Sequence, residues 1–325
     1  MVPEDLEFRF IREITGDFSV ERKLGQGAFG VVYKGVTNDG YEVAVKMLRT
    51  HLADIENKQF RNELQTLRKL AHQNIVQLLG YCYEAEKNKT PLIMPDGSKA
   101  FCYEMHTALC LEYLHNGSLQ NLLSADESCE VKLDWHMRFK IIKGICEGLK
   151  YMHKERIYHF DLKPDNILLD KDMVPKIADF GLSRIFGQDM IRITHGPYGT
   201  LGYQPPEYIH GGELSEKFDI FSLGAIMIKI VSGAMGYPDC SDMSSHEFID
   251  QVLEKWRNKL QETCISSDSL LEAYCRQVVT CTQIALNCLN EDNQKRPDIV
   301  KITESLNEID TGVGKVINII CKGRY

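Results

Sequence analysis

His159-Phe160-Asp161-Leu162-Lys163-Pro164-Asp165-Asn166, followed by Asp179-Phe180-Gly181, is the stretch that decides how this chain of 325 residues reads. It sets an acid, a lysine, an amide and a second acid at short fixed spacings between apolar segments. Few reactions need that combination. Movement of a terminal phosphoryl group onto a hydroxyl does. The acceptor needs a carboxylate to orient it and take its proton, and Asp161 offers one. Charge spreading over the phosphoryl oxygens needs a cation, Lys163. Magnesium needs hard oxygen ligands, which Asn166 and Asp179 carry. Either half of the stretch alone could be a chance polar loop; both halves in order make that reading poor.

Toward the amino terminus, Gly25-Gln26-Gly27-Ala28-Phe29-Gly30 matches G-x-G-x-x-G. The pattern is weak by itself, because dinucleotide-binding folds share it. There it opens a helix; here it opens Val31 to Val36, which alternates and is β-branched. A turn at Asn38-Asp39-Gly40 leads into a second alternating run, Tyr41 to Lys46. The glycines therefore lie in a hairpin bend, where backbone N–H groups can cover phosphates. Alternation puts Lys46 on the face of Ala44, opposite Val43 and Val45. In the next segment Phe60, Leu64, Leu67 and Leu70 recur at helical spacing, and Glu63 falls inside that apolar stripe. A carboxylate buried there needs a cation, and Lys46 is the candidate. Residues 74–82 and 108–114 read as strands. Between them, Pro91, Pro95, Asp96 and Gly97 mark an exposed turn or extended hairpin within 84–107.

Toward the carboxy terminus the pattern is helical. Asp134 is placed to cap a helix whose stripe is Trp135, Phe139, Ile142, Ile145, Leu149 and Met152. Residues 182–204 are polar, aperiodic and punctuated by Gly187, Gly196, Pro197 and Gly199, as a mobile segment would be. Asp219 precedes a run, Ile220 to Val231, apolar on nearly all sides and so a buried helix, with Asp219 placed to cap it.

Composition narrows the partners. The chain is 43% hydrophobic and 26% charged, as ordinary globular proteins are. With 38 basic against 46 acidic residues its net charge is −8, which favours neither nucleic acid nor an anionic membrane. The 11 cysteines form no CxxC pair. Cys275, Cys281 and Cys288 would sit roughly 9–10 Å apart along a helix, too far for disulfides and awkward for one metal. Glu4, Asp5 and Glu7 do not suit a leader, the most apolar stretch, Leu223 to Val231, is too short to span a bilayer, and Val2 and Cys321 do not suit lipid attachment. A reduced, cytoplasmic chain without an integral membrane segment is expected.

The two quoted stretches resemble the catalytic and metal-binding loops of eukaryotic protein kinases, and the resemblance covers about residues 18–308. It implies an α+β, two-lobed fold: a small, mainly antiparallel β lobe with one key helix at 18–114, then a larger, mainly α-helical lobe at 115–310. A lead-in (1–17) and a short tail (311–325) would flank it. By the same resemblance ATP is held by Gly25, Gln26, Gly27, Gly30, Val31 and Ala44. Lys46, paired with Glu63, holds its phosphates. Leu111 stands at the rear of the nucleotide pocket, and Glu112 and Leu114 offer backbone groups to adenine. Asp161 and Lys163 serve catalysis, and Asn166 and Asp179 hold Mg2+, with Mn2+ as an alternative. Arg296 would pair with Glu207, and Asp219 would be the strut to the catalytic loop.

Lys163 and Thr200 follow the serine/threonine pattern. Runs at 24–30, 74–82, 112–119 and 199–208 resemble plant receptor-like and receptor-like cytoplasmic kinases, related to interleukin-receptor-associated kinases. The implied function is ATP-dependent phosphorylation of protein hydroxyls in intracellular signalling, with plant defence as one setting. Partners would be a protein substrate and an upstream receptor kinase, the latter offering a peripheral route to the plasma membrane. Two departures stand out: Pro205 replaces the usual alanine, and Phe160 replaces the arginine common before the catalytic acid. Phenylalanine cannot dock a phosphate, so phosphorylation of Ser183, Thr194 or Thr200 is not expected to activate by that route. This resembles the subgroup lacking the arginine. It also leaves open a weakly active scaffold that binds nucleotide and signals through partners.

Overall fold

The computed structural model describes residues 4–27, 30–48, 58–87, 92–93, 99–100, 103–124, 133–186, 192–194, 196, 198–233, 243–262 and 267–322. The chain forms two compact units. The first comprises Met1–Ala71, Ile75–His115 and Asp179–Leu182; the second comprises His72–Asn74, Asn116–Ala178 and Ser183–Tyr325. One is rich in sheet and the other mainly helical, the α+β organisation expected. The main division follows His115, and two short segments cross over in sequence.

In the first unit, strands β1 (Glu4–Asp5), β2 (Lys23–Gln26), β3 (Gly30–Val36), β4 (Glu42–Leu48), β5 (Leu78–Lys87) and β8 (Tyr103–Glu112) form one sheet in the order β1-β5-β8-β4-β3-β2. All pairs are antiparallel except β1 with β5. A two-stranded ladder, β6 (Leu92–Ile93) with β7 (Lys99–Ala100), lies within 84–107. Pro91, Pro95, Asp96 and Gly97, on which the turn reading rests, fall outside the described residues. Alternation along β4 works as the sequence suggests: Val43 and Val45 are buried on one face, and Lys46 leaves by the other.

The lead-in is more than a lead-in. Helix α1 (Phe8–Thr15) lays Phe8, Ile11 and Ile14 on Val43, Val45, Cys82, Ala108 and Cys110, closing one face of the sheet. Gly35 makes the approach possible, since a Cβ there would stand 3.1 Å from the Ile14 side chain and 2.7 Å from that of Val43. The 8–14 stripe is short, and burial rather than length makes it a helix.

Residues 74–77, expected as strand, are not one; β5 begins at Leu78. Asn74 is bound elsewhere, in the second unit. Its amide donates to Pro175 O at 2.9 Å, and its carbonyl accepts from Ile177 N at 2.9 Å. Helix α4 (Trp135–Lys154) leaves room for it at Gly148, where a Cβ would come within 2.9 Å of Asn74 O. Every residue of the α4 stripe named above is buried, and Asp134 caps it, its carboxylate accepting from Met137 N at 2.8 Å.

The second unit is otherwise helical: α3 (Leu119–Ser124), α4, α5 (Pro206–Gly211), α6 (Glu216–Ser232), α7 (Ser245–Glu262), α8 (Asp268–Cys288) and α9 (Ile299–Lys322). Short pairs join β10 (Ile167–Leu169) to β11 (Pro175–Ile177), β9 (Ile157–Tyr158) to β12 (Arg184–Ile185), and β13 (Arg192–Ile193) to β14 (Glu213–Leu214). The tail expected from 311 continues α9 without a break. Asp219 is not a cap, because α6 starts earlier and Ser215 caps it. Cys275, Cys281 and Cys288 are free and buried in α8, and burial pushes their thiols up. Among the described residues no helix is long and apolar enough to cross a membrane.

Candidate active site

Lys46 lies at the centre of the first unit's polar chemistry. Its Nζ stands 2.8 Å from both carboxylate oxygens of Glu63 and 2.7 Å from Asp179 Oδ1. Glu63 enters on helix α2 (Lys58–Leu67), among the buried residues Phe60 and Leu67. The side chains of Lys46 and Glu63 are only 10% and 1% exposed, that of Asp179 29%. Burial opposes the charge on Lys46, but the two carboxylates outweigh it and hold the pKa well above its ordinary value. Lys46 is therefore a fixed cation.

Asp179 adopts φ 66°, a strained value for a residue other than glycine. The segment after it is tied to α2, where the Asn62 amide donates to Phe180 O at 3.2 Å and to Gly181 O at 3.1 Å. Sequence reading did not find Asn62. It neighbours Glu63 but lies off the apolar stripe, so periodicity gives it no signal.

The glycines of the hairpin differ from one another. Gln26 pairs with Val31, and Gly27 N donates to Gly30 O at 3.0 Å. A Cβ on Gly30 would sit 2.1 Å from Met47 O, so packing of β3 on β4 explains that glycine. At Gly25 and Gly27 a Cβ would meet no described atom within 4 Å. Nothing in the described protein requires glycine at those two positions, and the space suits a ligand approaching the backbone. Ala28 and Phe29, between them and Gly30, lie outside the described residues.

On β4 and β8, Ala44 pairs with Leu111, which is buried, as is Leu114. Glu112 N donates to Gln77 O at 3.0 Å, so that donor is already used and is not one of the groups left for adenine.

In the second unit the stretch from His159 to Asn166 forms one network with Thr200. Asp161 is buried. Its Oδ1 accepts from Thr200 Oγ1 at 2.7 Å, and its Oδ2 lies 3.2 Å from both Lys163 Nζ and Asn166 Nδ2. Lys163 Nζ also donates to Thr200 Oγ1 at 2.8 Å, and Asn166 Nδ2 to Asp161 O at 2.8 Å. With its amide nitrogen on Asp161, Asn166 has its amide oxygen, a hard donor, left for a cation.

The loop is suspended from α6. Asp219 accepts from His159 N and Phe160 N, both at 2.8 Å, and is fully buried. Asp161 N donates to His159 Nδ1 at 3.2 Å, which leaves Nε2 as the donor to Ala178 O at 3.0 Å. His159 is thus a positioning group that sequence reading quoted without a role. Arg296 grips Glu207 through two bonds, 2.6 and 2.8 Å, with its side chain wholly buried. Pro205, in place of the usual alanine, has extended backbone before Pro206 and opens α5 without strain.

Of the hydroxyls considered for phosphorylation, Ser183 is fully buried and bonds His159 O at 3.4 Å. Thr200 is held between Asp161 and Lys163. Thr194 accepts from Gly196 N at 3.1 Å and is partly exposed.

Comparison with known proteins gives these arrangements a family. Residues 18–306 match the protein kinase domain. The chain is 37% identical to cysteine-rich receptor-like protein kinase 10 of Arabidopsis thaliana over 301 residues, 91% of this chain and 42% of that one. It is also 37% identical to G-type lectin S-receptor-like serine/threonine-protein kinase SD1-13 of the same plant over 302 residues, 91% of this chain and 34% of the other. The chain thus spans less than half the length of these relatives. With a domain match over most of its length, the chain belongs to the protein kinase family.

Proposed function

We propose that the chain is an ATP-dependent serine/threonine protein kinase of the plant receptor-like group, the activity that its domain match and relatives support. The network around Asp161 carries the reading: a buried carboxylate held by a threonine hydroxyl, a lysine and an asparagine is a group fixed to receive a proton. The substrate hydroxyl oxygen attacks the γ-phosphorus while its proton passes to Asp161. The bond to the β-phosphate oxygen breaks and ADP leaves with the electron pair. Lys163 balances charge on the transferring group, and Thr200 keeps Asp161 oriented. Lys46, fixed by Glu63, holds the α- and β-phosphates beneath the backbone of Gly25 and Gly27. The apolar faces of Val31, Ala44 and Leu111 and the backbone near Glu112 and Leu114 receive adenine.

Family membership implies ATP and a divalent metal; the finer reading is Mg2+, with Mn2+ as a substitute. Asn166 and Asp179 carry the hard oxygens to hold it, and when bound the ion neutralises phosphate charge. The protein substrate belongs to intracellular signalling, with an upstream receptor kinase as a partner and peripheral placement at the plasma membrane as its consequence.

Purified chain incubated with γ-labelled ATP, Mg2+ and a generic basic protein tests the reading. Label on serine or threonine, abolished by Asp161→Asn, is the expected result. Nucleotide binding without transfer would instead favour the scaffold reading, for which Phe160 and Pro205 are the motivating departures.

A further inference from the structure

Phe160 occupies the place where the resemblance leads one to expect arginine, and it is not idle. Its side chain is wholly buried among rings, with centroids 5.6 Å from Phe186, 5.9 Å from Tyr198, 5.5 Å from Phe218 and 6.0 Å from Tyr158. The Tyr198 and Phe218 contacts are edge-to-face, the favoured arrangement for aromatic pairs. Phe186 and Tyr198 belong to the polar stretch that reads as mobile, and Phe218 to α6. Arg192 lies over the Phe186 ring at 4.8 Å and Arg184 over Tyr198 at 5.1 Å, so two cations rest on the cluster.

The contact continues residue by residue into the catalytic loop. The Tyr198 ring meets Phe160. Gly199 follows at φ 75°, where a Cβ would stand 2.8 Å from the Phe218 ring and 3.2 Å from Phe160 O. Thr200 then donates to Asp161. The backbone of this stretch is fixed from behind: Tyr198 N donates to the Tyr208 hydroxyl at 2.7 Å, that hydroxyl donates to Gly196 O at 2.8 Å, and the Gln204 amide donates to Tyr198 O at 2.7 Å. Phe160 itself adopts φ 60°, held by Asp219 on its N–H.

We infer that Phe160 is a positioning residue: with Phe186, Tyr198 and Phe218 it forms an uncharged clasp that holds the 198–200 segment so that Thr200 orients Asp161, with no phosphate required. Phe160, Phe186 and Tyr198 gather the two segments by ring packing where a phosphate–arginine pair would do so by charge. The inference rests on Asp161 as the base of the proposed reaction.

The test uses the phosphatase-treated full chain, with single-turnover rates expressed per nucleotide-binding site titrated with a fluorescent ATP analogue. Tyr198→Leu and Phe160→Leu should each slow transfer about tenfold, the scale of one or two lost ring contacts, with KM for ATP and site stoichiometry kept. Tyr198→Phe, which keeps the ring, should restore the wild-type rate. A wild-type rate in Tyr198→Leu would overturn the clasp. So would a loss fully accounted for by lost nucleotide sites, or a wild-type chain silent until the segment is phosphorylated. Should the wild type transfer no phosphate in either state, the kinase reading fails, and amide exchange then judges the clasp separately. Tyr198 N–H should exchange about tenfold faster in Phe160→Leu; unchanged protection would refute it.

Discussion

Lys46 is held by two carboxylates within 2.8 Å, whereas Phe160 is held by four rings at 5.5–6.0 Å. Both residues are buried, and each fixes a segment that the proposed chemistry uses. They do so by opposite means. Charges taken out of water depend on one another, so removing Lys46 leaves two carboxylates uncompensated. A ring cluster loses its contacts one at a time and tolerates replacement by another apolar group. The nucleotide side of the chemistry is therefore brittle, and the catalytic-loop side graded.

The sharpest break in that contrast is at the proposed base, which neither device can replace. Asp161→Asn should lower kcat roughly 10²–10⁴-fold with ATP affinity retained, measured by steady-state transfer and nucleotide titration. Near-normal turnover would remove Asp161 from its role.

Next comes the charged pair. Lys46→Met should destabilise the fold by about 3–5 kcal/mol in denaturant unfolding, Glu63→Gln by less because Asp179 still faces the lysine, and the double variant by much less than their sum. Additivity would mean that the two groups do not interact. Since folding raises the Lys46 pKa above its ordinary 10.5, the stabilisation is complete below that value and fades only as pH climbs through the folded value. The lysine should thus contribute no loss of stability between about pH 7 and 9.

Thr200 sharpens the graded side. Thr200→Val removes a hydroxyl bonded to both Asp161 and Lys163 and should slow transfer about 10–100-fold, with Thr200→Ser recovering most of it. The smallest effects separate the glycines. Gly30→Ala should lower the unfolding midpoint, because Met47 O blocks its Cβ, whereas Gly27→Ala should leave stability unchanged and raise KM for ATP about threefold.

These differences also explain what the sequence made legible. Glu63 stood out because a carboxylate inside the Phe60–Leu67 stripe is an anomaly that demands a partner, and β4 alternation pointed Lys46 the right way. Phe160 stood out only as a missing arginine; what took its place depends on Phe186, Tyr198 and Phe218, far apart in sequence and without a shared period. Residues 182–204 read as mobile because rings at irregular intervals give no periodicity. Helix α1 went unread for the related reason that its partners, on β4, β5 and β8, are distant. Asn74 read as strand because its neighbours Ile75 and Val76 favour strands, while its own bonds to Pro175 and Ile177 decide otherwise.

The most direct test is the initial rate of γ-phosphoryl transfer by phosphatase-treated wild-type chain, set beside the same protein after incubation with ATP and beside Phe160→Arg. The dephosphorylated wild type should keep most of its rate, and Phe160→Arg, with a cation forced among buried rings, should be slower and more sensitive to phosphate on the segment. A wild type silent after dephosphorylation and restored by phosphate at Thr194 would contradict the account, showing that a cation such as Arg184 or Arg192 does the work assigned to the rings.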